Sequence, residues 1–86
     1  MFEYDPAKSQ ANRAKHGIDF DRAQALWLDR RVVIAPGISI QEERWLAIGT
    51  IEGVHWTAVF ARRGRGIRII SVRRARRNEV QGYESQ

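Results

Sequence analysis

Two histidines, His16 and His55, are the only side chains of this chain that change charge near neutral pH without a perturbed environment. His16 follows Lys15 and precedes Gly17. That place closes a helix, where the negative end of the helix dipole favours a protonated imidazole. It equally suits a histidine that only caps carbonyls, and both readings stay open; for His55 a packing role is favoured. Glu42-Glu43-Arg44 sets carboxylates beside a guanidinium, a pairing that can do acid–base work or stay idle at a surface. Arg68, Arg73 and Arg74 are the candidate phosphate ligands, and Tyr83 is a further candidate acid unless it packs. Cleavage of a phosphodiester by a neighbouring 2′-hydroxyl needs this set: a base, cations for the charge on phosphorus, and an acid for the departing 5′-oxygen.

The charge distribution points the same way. Residues 1–52 hold seven basic and eight acidic side chains, whereas residues 53–86 hold eight arginines against two glutamates. All eight lie between Arg62 and Arg77. Arginine forks onto phosphate and carboxylate and stacks on bases, whereas solubility alone gives no reason to prefer it to lysine. The chain has no cysteine, hence no disulfide and no thiolate metal ligand. The two histidines lack an HExxH spacing, so no metal site and no cofactor is expected. No apolar run approaches the ~20 residues of a membrane span, and the N-terminus has no signal-peptide pattern. A cytoplasmic protein of one domain over residues 1–86, with no membrane contact, is expected.

The elements that position these residues are legible from pattern. Residues 2–4 alternate as a short edge strand. Asp5-Pro6 starts a helix over 7–16, and Gly17 stops it. Asp19 caps a second helix over 20–27, with Phe20, Ala23, Leu26 and Trp27 on one face. Residues 32–35 read as a strand ending at the turn pair Pro36-Gly37, and 38–43 as a loop. Strands over 44–51 and 54–62 flank a two-residue turn at Glu52-Gly53. A glycine-rich turn at 63–66 leads to a last strand over 67–73, and 75–83 reads as a helix.

Placing Glu52-Gly53 at the hairpin tip sets Trp45 opposite Phe60, Ala47 opposite Ala58 and Gly49 opposite Trp56. The next hairpin sets Phe60 opposite Ile69 and Arg62 opposite Ile67. Trp45, Trp56, Phe60, Ile67 and Ile69 then share the face that the N-terminal helices cover, with Gly49 leaving room for the Trp56 indole. On the other face Arg44, Ala61 and Arg68 form one row and Thr50, His55 and Arg74 another. Leu46, Ile48, Val59, Ile70 and Val72 lie between. An apolar strip bounded by arginines suits a nucleic acid or a peptide helix, unless the C-terminal helix covers it. A bulge at the glycine-rich turn would exchange the faces of the last strand.

Three stretches carry a resemblance. The opening Phe2-x-Tyr4-Asp5-x-x-Lys8-x-x-x-Asn12-x-x-Lys15-His16-Gly17-x-x-Phe20-x-x-Ala23, the middle Glu43-Arg44 with Gly49, and the ending Arg68-Ile69-Ile70-Ser71-x-Arg73-Arg74-Ala75-x-x-x-Glu79-x-x-x-Tyr83 resemble the BrnT ribonuclease toxins of bacterial type II toxin–antitoxin pairs. The resemblance spans essentially the whole chain. One departure is the loop over 36–41, where it would lead one to expect an aspartate before Glu42-Glu43. It implies an α+β fold related to the RelE-type ribonucleases: two N-terminal helices on a twisted antiparallel sheet, with a short C-terminal helix. It also implies metal-independent endoribonuclease activity that inhibits translation. The implied partners are the RNA substrate, a BrnA antitoxin that dimerises through a ribbon-helix-helix domain in a heterotetramer, and operator DNA bound through that antitoxin. Catalytic weight falls on Lys15, His16, Glu43 and Arg44, and RNA or phosphate contact on Arg68, Arg73 and Arg74. Which group is base and which is acid does not follow.

Two other readings use the same arginines: a binding module without catalysis, for an acidic protein or nucleic acid, and a toxin that has lost cleavage while keeping its antitoxin contact. Loss of activity on replacing His16 separates cleavage from binding.

Overall fold

Capping chemistry sets where the N-terminal helices begin and end. The computed structural model describes residues 1–38 and 42–86. Strand β1 (Phe2–Glu3) leads into helix α1 (Pro6–His16). Asp5 Oδ1 accepts from the amide of Ala7 at 2.9 Å, and Gly17 ends the helix in the left-handed region at φ 82°. Asp19 Oδ1 accepts from the amide of Arg22 at 2.7 Å and caps α2 (Phe20–Ala23). The expected second helix does not stay α-helical. It tightens into a 3₁₀ segment over Gln24–Leu28, whose i, i+3 stacking keeps Ala23 and Leu26 one above the other, both fully buried.

Strands β2 (Val33–Pro36), β3 (Trp45–Ile51), β4 (Val54–Arg63) and β5 (Gly66–Arg74) follow, and α3 (Arg77–Glu84) closes the chain. The sheet order is β1-β5-β4-β3-β2. The fold is α+β as expected, but the sheet is mixed: β1 is an edge strand that pairs parallel with β5, and every other pairing is antiparallel. The β3–β4 register is the expected one, with Ile51 opposite Val54, Gly49 opposite Trp56 and Trp45 opposite Phe60. Glu52 (φ 50°) and Gly53 (φ 81°) both take the positive φ that a two-residue hairpin turn of the primed type requires.

The core forms where Ile18, Phe20, Ala23 and Leu26 meet Ala47, Ile51, Ala58, Phe60, Ile69 and Val72. Each fully buried large side chain here contributes about 1.5–3 kcal/mol through burial. Trp45, Trp56 and Ile67 pack at the margin of that core, on the expected face. Helix α1 has little apolar surface to offer and is held by polar contacts instead. Asn12 Nδ2 donates to the carbonyls of Ile18 and Val72, its Oδ1 accepts from the amide of Val72, and Ser9 Oγ accepts from the amide of Phe20.

Two expectations about the sheet need correction. First, Phe60 faces Ile69 as expected, but Val59 faces Ser71, so Ile70 is an extra residue in β5. This bulge sets two residues against one and reverses the alternation beyond it. Val72 moves into the core, Arg73 moves to the other face beside Thr57, and Arg74 pairs with Trp56 instead of His55. Second, the space over Gly49 is not taken by the Trp56 indole. A Cβ there would lie 3.1 Å from Asp29 Oδ2 and 3.3 Å from Leu26 Cδ2, so the glycine admits the Asp29 carboxylate and the 3₁₀ segment. The loop read over 38–43 is pinched at its neck by the Gly37 amide donating to the Arg44 carbonyl at 2.7 Å. Residues 39–41 of that loop lie outside the described residues.

Candidate nucleic-acid interface

The face of the sheet away from α1 and α2 divides into a covered end and an open end. At the covered end α3 is fastened by a part-buried ion pair. Arg73 Nη1 and Nη2 donate to Glu79 Oε1 and Oε2 at 2.8 and 2.9 Å. Glu79 Oε1 also accepts from Thr57 Oγ1 at 2.9 Å and from the amide of Arg76 at 2.8 Å. The Arg73 hydrogen bonds hold the Glu79 carboxyl at about 2 against the upward push of burial, helped by Arg76 and Thr57. The guanidinium is raised in turn by Glu79. Arg73 therefore spends its fork on Glu79.

One helical turn on, Tyr83 donates from its hydroxyl to Asp29 Oδ2 at 2.6 Å. The same oxygen accepts from the amide and hydroxyl of Thr50, and Oδ1 accepts from the amide of Arg31. Burial raises the Asp29 carboxyl, but the bonds from Tyr83, Arg31 and Thr50 outweigh it and hold it at about 2. The bond to Asp29 raises the Tyr83 hydroxyl. His55 Nε2 lies 2.6 Å from Glu84 Oε2, and its ring meets Tyr83 edge-on at 5.3 Å. Tyr83 is thus packed and hydrogen-bonded, and His55 joins the sheet to the last turn of α3.

The open end carries Arg44 and Arg68. Arg68 pairs with Ala61 across the strands as expected, and Arg44 directly precedes β3, whose first pair is Trp45 with Phe60. Arg44 Nη2 lies 3.5 Å from Glu42, and its buried Nε has no hydrogen-bond partner among the described residues. Arg68 Nη1 lies 3.6 Å from Glu3. Glu43 is exposed beside Arg44. Between these cations and the α3 end, Leu46, Val59 and Ile70 remain half-buried.

Lys15, His16 and Arg74 lie elsewhere, at the rim of the helix-covered face. His16 is one turn beyond Asn12 on the same side of α1, and Asn12 is fixed to Val72, so His16 faces the end of β5 that Arg74 closes. Lys15 is exposed and His16 is half-buried. The Arg74 guanidinium lies over the Trp56 ring, 5.5 Å from its centroid. Beside the helix end two hollows share Gly17, Ile18 and Arg22. One continues to Arg13 and Asp19, the other to Glu52 and Trp56.

The seven residues cited for catalysis and phosphate contact thus fall into three places. Lys15, His16 and Arg74 share one rim; Glu43, Arg44 and Arg68 share the open end of the opposite face; Arg73 is engaged in the α3 ion pair. Arg44 and the β3–β4 turn are separated by the length of β3, about 23 Å. No group of three His, Cys, Asp or Glu side chains among the described residues is placed to hold a metal ion. Reading the sequence missed Glu79, Thr57 and Asp29 as site-shaping residues. An i, i+6 relation between Arg73 and Glu79 across a strand end has no periodic signature, and Asp29 meets Tyr83 only through the tertiary fold.

Among known families, the model described as the ribonuclease toxin BrnT of type II toxin–antitoxin systems matches residues 4–79. No curated protein matches the chain. The matched span contains all seven cited residues and the Arg73–Glu79 pair, and stops before Tyr83.

Proposed function

The chain belongs to the BrnT ribonuclease toxins of type II toxin–antitoxin systems, and on that premise we propose that it is an endoribonuclease that cleaves RNA without a metal ion, inhibits translation and is neutralised by a BrnA-like antitoxin. The observation that supports a reaction centre is the basic rim at the end of α1. His16 is the imidazole there, with Lys15 beside it and Arg74 over Trp56. In this reading the 2′-hydroxyl loses its proton and attacks phosphorus, and the bond to the 5′-oxygen breaks. The leaving oxygen takes up a proton, giving a 2′,3′-cyclic phosphate and a 5′-hydroxyl. Lys15 and Arg74 stabilise the charge that builds on the phosphorane oxygens.

A second centre, Glu43 with Arg44 and Arg68, is favoured by the buried Arg44 Nε, which has no partner among the described residues, since such a donor in a native fold asks for one. Here Glu43 is the proton-exchanging group and the two arginines hold the phosphate. Cleavage of purified RNA by His16→Ala and Arg44→Ala variants decides between them. The first centre predicts a loss of at least a hundredfold for His16→Ala and a modest loss for Arg44→Ala; the second predicts the reverse.

In this reading the antitoxin covers the open sheet face, a choice supported by the half-buried Leu46, Val59 and Ile70 between the cations Arg44 and Arg68. A BrnA-like partner that dimerises through a ribbon-helix-helix domain would carry two copies of this chain in a heterotetramer and contact operator DNA itself. The cytoplasm is the compartment this function requires, and residues 1–86 act as one domain. No helix among the described residues is long and apolar enough to cross a membrane.

A further inference from the structure

The hollow between the end of α1 and the β3–β4 turn has features that phosphate binding does not need. Its volume is about 170 Å³, and Gly17, Ile18, Arg22, Glu52 and Trp56 are among the residues that line it. That is below the range of pockets for drug-sized ligands and suits a single flat heterocycle. Trp56 supplies an aromatic wall whose ring is also held by Arg74. Glu52 and Arg22 form an ion pair at the mouth, both largely exposed. Glu52 holds a left-handed backbone at φ 50°, in a turn where asparagine or glycine is the ordinary choice. A side chain kept at such a position invites a role for the side chain itself.

We propose that this hollow is a nucleobase subsite of the ribonuclease, selective for guanine, with the base against Trp56 and its Watson–Crick edge read by Glu52 and Arg22. The proposal rests on the ribonuclease reading for its substrate class. A carboxylate only accepts and a guanidinium only donates, so the pair displays acceptor and donor side by side. Guanine presents the complement, with donors at N1 and N2 next to the O6 acceptor. Adenine offers a single donor group and one acceptor on that edge, and makes one bond fewer. The wall formed by Trp56 accepts any base, so selectivity resides in Glu52 and Arg22. Gly17, which lines the hollow, directly follows His16 in the chain, so the subsite adjoins the end of α1 that carries the proposed chemistry.

The test uses the whole chain labelled with ¹⁵N, following the indole N–H signals of its three tryptophans. The Trp56 signal is assigned with Trp56→Phe. Guanosine 3′-monophosphate, adenosine 3′-monophosphate and inorganic phosphate are titrated separately. The guanosine nucleotide is expected to move the Trp56 signal and to bind at least tenfold more tightly than the adenosine nucleotide. Glu52→Gln, a change at an exposed side chain that leaves the circular dichroism spectrum intact, is expected to bring that ratio close to one. Equal binding of the two nucleotides, no binding at millimolar concentration, the same shift from phosphate alone, or an unchanged ratio in Glu52→Gln would each overturn the subsite. The titration needs no cleavage. Guanine selectivity with intact RNA would therefore keep the subsite and defeat the ribonuclease reading, and cleavage without guanine preference in the titration would do the opposite.

Discussion

Glu79 accepts hydrogen bonds from Arg73, Thr57 and the amide of Arg76, and its removal is the sharpest residue-level test of the fold. Glu79→Gln leaves the Arg73 guanidinium half-covered with its charge uncompensated, and is expected to cost about 3 kcal/mol in urea unfolding. A cost below about 1 kcal/mol would mean that Arg73 finds solvent easily and that the pair adds little. Arg73→Ala is expected to destabilise similarly, so loss of activity in that variant has to be judged beside its stability. Arg74→Ala carries no such burden, because its guanidinium is exposed and stacked on Trp56. Residue identity made the arginine cluster and His16 legible in the sequence. It did not show which arginine is already spent on a carboxylate, because that depends on where α3 lands. His55 is the informative case: it packs edge-on against Tyr83, and its ring nitrogen also meets Glu84.

Local signals mark the elements well, and where the fold departs from them the cause is tertiary packing. Caps and turns are local, so Asp5, Gly17, Asp19 and Glu52-Gly53 fixed helix starts, a helix stop and the hairpin register. The bulge at Ile70 is not local: it lets Val72 reach the core and Arg73 reach Glu79, two tertiary gains that no alternation pattern announces. The shift from α to 3₁₀ geometry at Gln24 likewise answers to packing on the sheet. Gly49→Ala tests the closest approach between those layers. Its Cβ would press on Asp29 Oδ2 and Leu26 Cδ2, and a destabilisation of about 1–3 kcal/mol is expected by thermal unfolding. At the hairpin tip Glu52→Asn should do the reverse, gaining about 0.5–1 kcal/mol because asparagine tolerates the left-handed region better. A loss of stability there would show that the Arg22–Glu52 ion pair outweighs the backbone term.

At the scale of the molecule the same hydrogen-bonded carboxylates set the response to acid. Asp29 and Glu79 both titrate at about 2 in the folded protein, below the ordinary values of 3.8 and 4.5. Between those limits the unfolded chain binds more protons than the folded one. Their contribution, on the order of 2 kcal/mol each, is therefore present above about pH 4.5 and lost as pH falls towards 2. Fifteen basic side chains add repulsion as the carboxylates neutralise. Melting temperature is expected to fall through this window, with the fall reduced in Asp29→Asn; an unchanged profile in that variant would remove Asp29 from the account.

The central claim, that the fold carries a ribonuclease centre, is tested most directly in living bacteria. Expression of the wild-type chain is induced beside His16→Ala and Arg44→Ala, and growth and total RNA are followed together. Growth arrest with fragmented RNA in the wild type, relieved by at least one substitution in a folded protein, is the predicted result. Normal growth with intact RNA from a folded wild-type chain would contradict it, and would leave the arginines as a binding surface alone.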